Sequence, residues 1–319
     1  MLRLLLVLTL IYSSMPQAQN MIHPTKTYRA KLEYQTKAQL GEGAFWDFRT
    51  GELYWIDILE KRLHIYNPKI NENRSLSMPS NIGTVVPAEN QNEAVVALQD
   101  GVYTINTKSE KMSPFSDLEK DVTGNRLNDG KCDPSGRLWV GSMAYSQETG
   151  AAKLYMINKD GEAVVQKDSV TISNGIVWSK DKSTMFYIDT PTSQIKAYDY
   201  NDFNGNISNE RIAVNIDNSL GFPDGMTIDE NDNLWVGMWN GNAVLHFDSK
   251  TGQLLSKVEV PAHNVTSCAF GGENLNELFI TTASVDMTAE EQQKYPLAGS
   301  IFKIKTEVKG VKSNFFNGK

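Results

Sequence analysis

Leu138-Trp139-Val140-Gly141 returns residue for residue as Leu234-Trp235-Val236-Gly237. Looser copies of the same strand pattern stand at Leu53-Tyr54-Trp55-Ile56, Ala94-Val95-Val96-Ala97, Met185-Phe186-Tyr187-Ile188 and Leu278-Phe279-Ile280-Thr281. Successive copies begin 41, 44, 47, 49 and 44 residues apart, the period of a four-stranded propeller blade. Behind the copies come alternating segments such as Arg62-Leu63-His64-Ile65-Tyr66 and Ala243-Val244-Leu245-His246-Phe247-Asp248, which read as third strands ending in Asp or Asn turns. In front of most copies lies a short apolar run closed by a turn: Ala44-Phe45-Trp46-Asp47, Lys131-Cys132-Asp133, Ile176-Val177-Trp178-Ser179 and Met226-Thr227-Ile228-Asp229. These are the expected innermost strands. Helical periodicity is confined to a short polar segment over residues 287–294. The expected class is all-β, a six-bladed β-propeller, with the run Tyr28-Arg29-Ala30-Lys31-Leu32-Glu33-Tyr34 pairing with the last blade to close the ring and remove a sheet edge.

The rest of the composition agrees with a globular chain. Of 319 residues 40% are hydrophobic, and 31 basic residues face 38 acidic ones for a net charge of −7. That balance excludes a disordered chain, and without a basic block it offers no footprint for nucleic acid. Residues 1–20 stand apart: Arg3, an apolar run over residues 4–12 and a polar tail ending near Gln17-Ala18 read as a cleaved secretory signal peptide. The run is too short to span a bilayer. The expected organisation is therefore a signal peptide over 1–20 and one propeller domain over 21–319. The mature protein is expected to be exported, periplasmic or secreted, monomeric and without a membrane partner. Cys132 and Cys268 fall on the inner strands of the third and sixth blades, on opposite sides of the ring, so two free buried thiols are expected.

The repeat allows positions to be compared within the chain. Five residues before the turn residue that ends an inner strand stand Glu42, Asn128, Asn174 and Asp224. In the two other blades the place falls near Gly83-Thr84 and Thr266-Ser267. Asn and Asp are common at strand entrances for turn chemistry alone. Blade packing, however, does not require carboxylates and carboxamides to converge on one axis. Two carboxylates and two amide oxygens suit a hard divalent cation, Ca²⁺ first, with Mg²⁺ or Mn²⁺ as alternatives; Zn²⁺ more often takes imidazole or thiolate. His23, His64, His246 and His263 fall in the N-terminal tail, outer strands or a loop and are read as packed or solvated.

At these residues the sequence resembles the regucalcin family, also called senescence marker protein or gluconolactonase-like. The resemblance is carried by Gly41-Glu42-Gly43-Ala44-Phe45-Trp46, Asn125-Arg126-Leu127-Asn128-Asp129-Gly130-Lys131, Ile172-Ser173-Asn174-Gly175, Pro223-Asp224-Gly225-Met226, Thr266-Ser267-Cys268 and Ala298-Gly299-Ser300-Ile301-Phe302-Lys303, in family order. It implies a six-bladed propeller that hydrolyses sugar lactones with one divalent metal at the channel mouth. Glu42, Asn174 and Asp224 would be metal ligands, Asp224 also the general base, and Arg126 and Asn128 substrate contacts. Two departures stand out. Ala44 occupies a place where the family usually has Pro. The segment Ala144-Tyr145-Ser146-Gln147-Glu148 is short where relatives often carry an acidic sugar-binding residue, a part for which Glu148 is the candidate. The expected activity is opening of an aldonolactone such as glucono-1,5-lactone. A metal-dependent aryl-ester or phosphotriester hydrolase and a non-catalytic Ca²⁺-binding propeller are the alternatives.

Overall fold

The computed structural model describes residues 24–318; the signal-peptide reading and His23 lie outside them. The chain forms six antiparallel blades around a central channel. Their innermost strands are Gly41–Asp47, Ile82–Pro87, Asn125–Cys132, Ser173–Trp178, Phe222–Ile228 and Asn264–Gly271. The repeated four-residue pattern is the second strand of every blade. Its third residue, Trp55, Val96, Val140, Tyr187, Val236 or Ile280, is fully buried each time. Neighbouring blades cover both faces of these strands, which is why they read as apolar runs rather than half-polar alternations.

The turn that follows an inner strand is built by its Asp. Asp133 Oδ1 accepts the backbone N–H groups of Ser135 and Arg137, both at 3.0 Å, and Asp133 Oδ2 takes Trp139 Nε1 at 2.9 Å. Asp229 repeats this with Asn231, Asn233 and Trp235. The Leu-Trp-Val-Gly repeat is thus locked to the strand before it by one carboxylate.

Ring closure differs from the expected pairing. The N-terminal run splits at Ala30: Lys26–Arg29 adds in parallel as a fifth strand of the fifth blade, and Lys31–Tyr34 pairs antiparallel as the outer strand of the sixth. Ala30 N–H, bonded to Glu259 O at 2.9 Å, marks the crossing between blades. Two edges are covered instead of one. The polar segment gives a short helix, Ala289–Lys294, whose Thr288 and Glu291 form a capping box.

A C-terminal strap closes the channel end where the inner strands finish. Gly310 bonds to Leu275, Phe316 to Pro87 and Glu89, Asn317 to Gly136, and the Asn314 amide to Cys132 O. Cys132 and Cys268 are both free and buried, and line a small cavity of about 70 Å³ beneath the strap. Burial pushes the Cys268 thiol up to about 12 and raises that of Cys132 well above its ordinary value.

Candidate active site at the channel mouth

Every inner strand carries one extra residue near its entrance. The register against the second strand shifts between Glu42 and Phe45, Ile82 and Thr84, Leu127 and Gly130, Asn174 and Ile176, Pro223 and Met226, and Val265 and Cys268. A bulge re-aims side chains out of the sheet's alternation, and six of them surround the axis at one depth. Gly43 supplies the positive φ (62°) for the first. At Gly175 a Cβ would lie 2.8 Å from the Asp224 carbonyl oxygen, so the fourth and fifth inner strands approach this closely only because the residue is glycine. The loops that lead into the strands are held by carboxylates. Asp57 takes the N–H groups of Gln39 and Leu40, and Asp189 those of Thr171 and Ile172.

The bulges bring Glu42, Arg126, Asn128, Asn174 and Asp224 to the floor of one cavity of about 530 Å³. A chain of hydrogen bonds fixes the two amides. Arg126 donates to Asn128 Oδ1, whose Nδ2 donates to Ser173 O (2.7 Å) and Asn174 Oδ1 (3.0 Å). Asn174 Nδ2 donates to Thr190 Oγ1 (2.7 Å), which donates to Pro223 O (2.8 Å). The Asn174 side chain is therefore oriented by its neighbours.

Glu42 and Asp224 hydrogen-bond each other, and both hold their protons above the usual carboxylate range. Burial is the leading cause for each. For Asp224 the Glu42 charge comes next, then Asp129; for Glu42 the next is Asp129. Arg126 opposes these shifts. Two buried carboxyls in contact cannot both ionise without a further cation. Burial likewise works against the Arg126 charge and lowers its pKa, opposed only in part by Tyr145, Glu42 and Asp224. The donor set of two carboxylates and an oriented amide oxygen is all oxygen and short of positive charge, which fits a hard divalent ion. Among the described residues no three His, Cys, Asp or Glu side chains gather as a cation site, so the amide oxygen is needed to complete one.

Other residues fall differently. Glu148 is exposed and does not line the cavity. The turn closed by Gln147 N–H to Ala144 O (2.9 Å), with Gln147 at φ 54°, brings Gln147 to the wall and leaves Glu148 in solvent. The three described histidines sit away from the cavity. His64 stacks on Trp55, His246 on Trp235 with Nε2 3.2 Å from Asp229, and His263 pairs with Glu291 at 3.1 Å. Thr190 lies outside the repeat positions, and its signal in the sequence is the Asp189-Thr190-Pro191 break directly after a repeat strand. Asp129 is likewise outside them, buried with Oδ2 unpartnered and its carboxyl raised by burial.

The chain belongs to the family described as the SMP-30/Gluconolactonase/LRE-like region, whose model matches residues 40–284. It is 40% identical over 289 residues to a Bacillus subtilis (strain 168) protein named "Putative sugar lactone lactonase YvrE", covering 91% of this chain and 99% of that one. To regucalcin of Xenopus laevis it is 32% identical over 286 residues, 88% and 95% of the two chains. Its fold matches the crystal structure of a calcium-binding protein, regucalcin, from Agrobacterium tumefaciens with a TM-score of 0.87 at 26% identity, covering 92% and 98% of the chains.

Proposed function

We propose that the protein is a metal-dependent lactonase that opens a sugar lactone with a carboxylate base. The observation that carries this is the buried Glu42–Asp224 pair beside the oriented Asn174 amide and the Arg126 guanidinium, at the floor of a cavity open to solvent. The relatives named as lactonase and as calcium-binding protein support it. Glu42, Asn174 and Asp224 would hold the ion. Bound there, a divalent cation supplies the positive charge that lets both carboxyls ionise and polarises a lactone carbonyl.

Ionised Asp224 takes a proton from the attacking water as the water oxygen bonds to the acyl carbon. The bond from that carbon to the ring oxygen then breaks. Asp224 returns the proton to the leaving alkoxide, and a hydroxy acid results. Arg126 offers its fork of N–H groups to the new carboxylate or a ring hydroxyl, and Asn128 holds Arg126 in place while reaching Asn174. Glu148, turned to solvent, takes no part. Export remains part of the proposal on the strength of the apolar run over residues 4–12; recovery of the mature protein from cytosol alone would refute it.

The test is turnover of glucono-1,5-lactone by the Asp224→Ala variant loaded with divalent ion. The expected result is loss of about 10²- to 10⁴-fold in kcat. Undiminished turnover would remove Asp224 from the mechanism.

A further inference from the structure

Above its floor the cavity is mixed, with Gln147, Asn240 and Asp286 set among apolar side chains. Beside these polar groups the wall holds Leu59, Met143, Tyr145, Phe222 and Trp239. Three of these are large apolar side chains left 37% (Leu59), 46% (Tyr145) and 39% (Phe222) exposed at one opening. Apolar exposure gathered at the mouth of a pocket marks a surface that a ligand covers.

The wall is also held in place. The Tyr145 hydroxyl accepts from Asn81 Nδ2 at 3.0 Å and donates to Gln99 Oε1 at 2.9 Å, which ties its ring to the second blade. Phe222 and Trp239 are direct cross-strand partners, so their side chains share a sheet face. Glu148 is exposed and does not line this wall, so Gln147, Asn240 and Asp286 are the polar side chains that stand beside the apolar ones.

Resting on the lactonase reading, we infer that this site takes lactones carrying an apolar alkyl or aryl substituent. The lactone ring sits on the polar floor and the substituent lies against Leu59, Met143, Tyr145, Phe222 and Trp239. The site then accepts more than a plain sugar lactone, and these wall residues set its specificity.

The experiment measures kcat/KM of the full chain, loaded with divalent ion, on δ-lactones bearing methyl, propyl or pentyl on the ring carbon next to the ring oxygen. Glucono-1,5-lactone is run beside them. Each buried methylene is expected to raise kcat/KM by up to about fourfold. The pentyl-to-methyl ratio is expected to fall in Leu59→Asn and in Phe222→Ser. Because the ratio is read within one preparation, a smaller folded fraction in a variant cancels. Turnover of glucono-1,5-lactone with a flat or falling alkyl series would overturn this inference and leave the lactonase reading standing. An alkyl series that rises equally steeply in both variants would place the substituent elsewhere and overturn the wall assignment. If no lactone of either kind is opened, the lactonase reading falls and takes the inference with it.

Discussion

Asp224 answers to two opposed demands: burial beside Glu42 favours its protonated form, whereas a general base must be ionised. A divalent cation held by these residues would resolve the conflict, and the raised carboxyls have a measurable sign. In the metal-free protein both carboxyls have pKa values raised above those of the unfolded chain. The folded state therefore binds more protons than the unfolded one once pH passes the usual carboxylate range. The stability that follows is complete below about pH 4 and drains as pH rises through the raised values. The chelated protein should show a thermal midpoint that falls between about pH 5 and pH 8, and added Ca²⁺ should raise it more at the upper end. Glu42→Gln should flatten that slope. A midpoint of the chelated wild type that climbs across the window would show that the pair shares no proton. Arg126→Lys replaces a planar fork with a point charge; it should raise KM for a lactone more than it lowers kcat, by about tenfold.

Among elements, the strap and the closing strands hold the ring together. Phe316 is buried, meets Phe115 edge-on and sits where the strap bonds to Pro87 and Glu89. Phe316→Ala should cost about 3–5 kcal/mol, seen as a lower urea midpoint with unchanged slope; a loss under about 0.5 kcal/mol would mean that the strap is not part of the cooperative unit. The blades were legible because each must bury the same faces, so Leu-Trp-Val-Gly recurs where packing recurs. The site positions were legible for a related reason: the bulges fall at one place in every repeat, and counting from the turn residue, Asp47, Asp133, Ser179 or Asp229, finds Glu42, Asn128, Asn174 and Asp224. What occurs once in the chain was not legible. The strap has no counterpart in other blades, and only the Phe315-Phe316 pair hints at burial. The split at Ala30 follows from which blade edges the run meets, which local pattern does not encode. That Gln147 rather than Glu148 lines the cavity depends on one left-handed residue.

At the scale of the whole molecule, six blades converge six bulges on one axis, and the chain uses this symmetry unequally. Four blades place carboxylates and amides at the mouth, while Gly83, and Gly225 and Gly237 facing Ser267 and Thr266, let neighbouring strands come close. The result is a ring whose floor gathers Glu42, Asp129 and Asp224 against one Arg126, where a bound cation would let the carboxyls ionise. The most direct test of that claim is the initial rate of glucono-1,5-lactone hydrolysis by the full chain after exhaustive chelation and after reconstitution with Ca²⁺, Mg²⁺, Mn²⁺ or Zn²⁺ in turn. The account predicts no turnover above the uncatalysed rate in the chelated protein and recovery with at least one of the ions. Turnover that survives chelation, or silence with every ion in a protein shown to bind one, would contradict it.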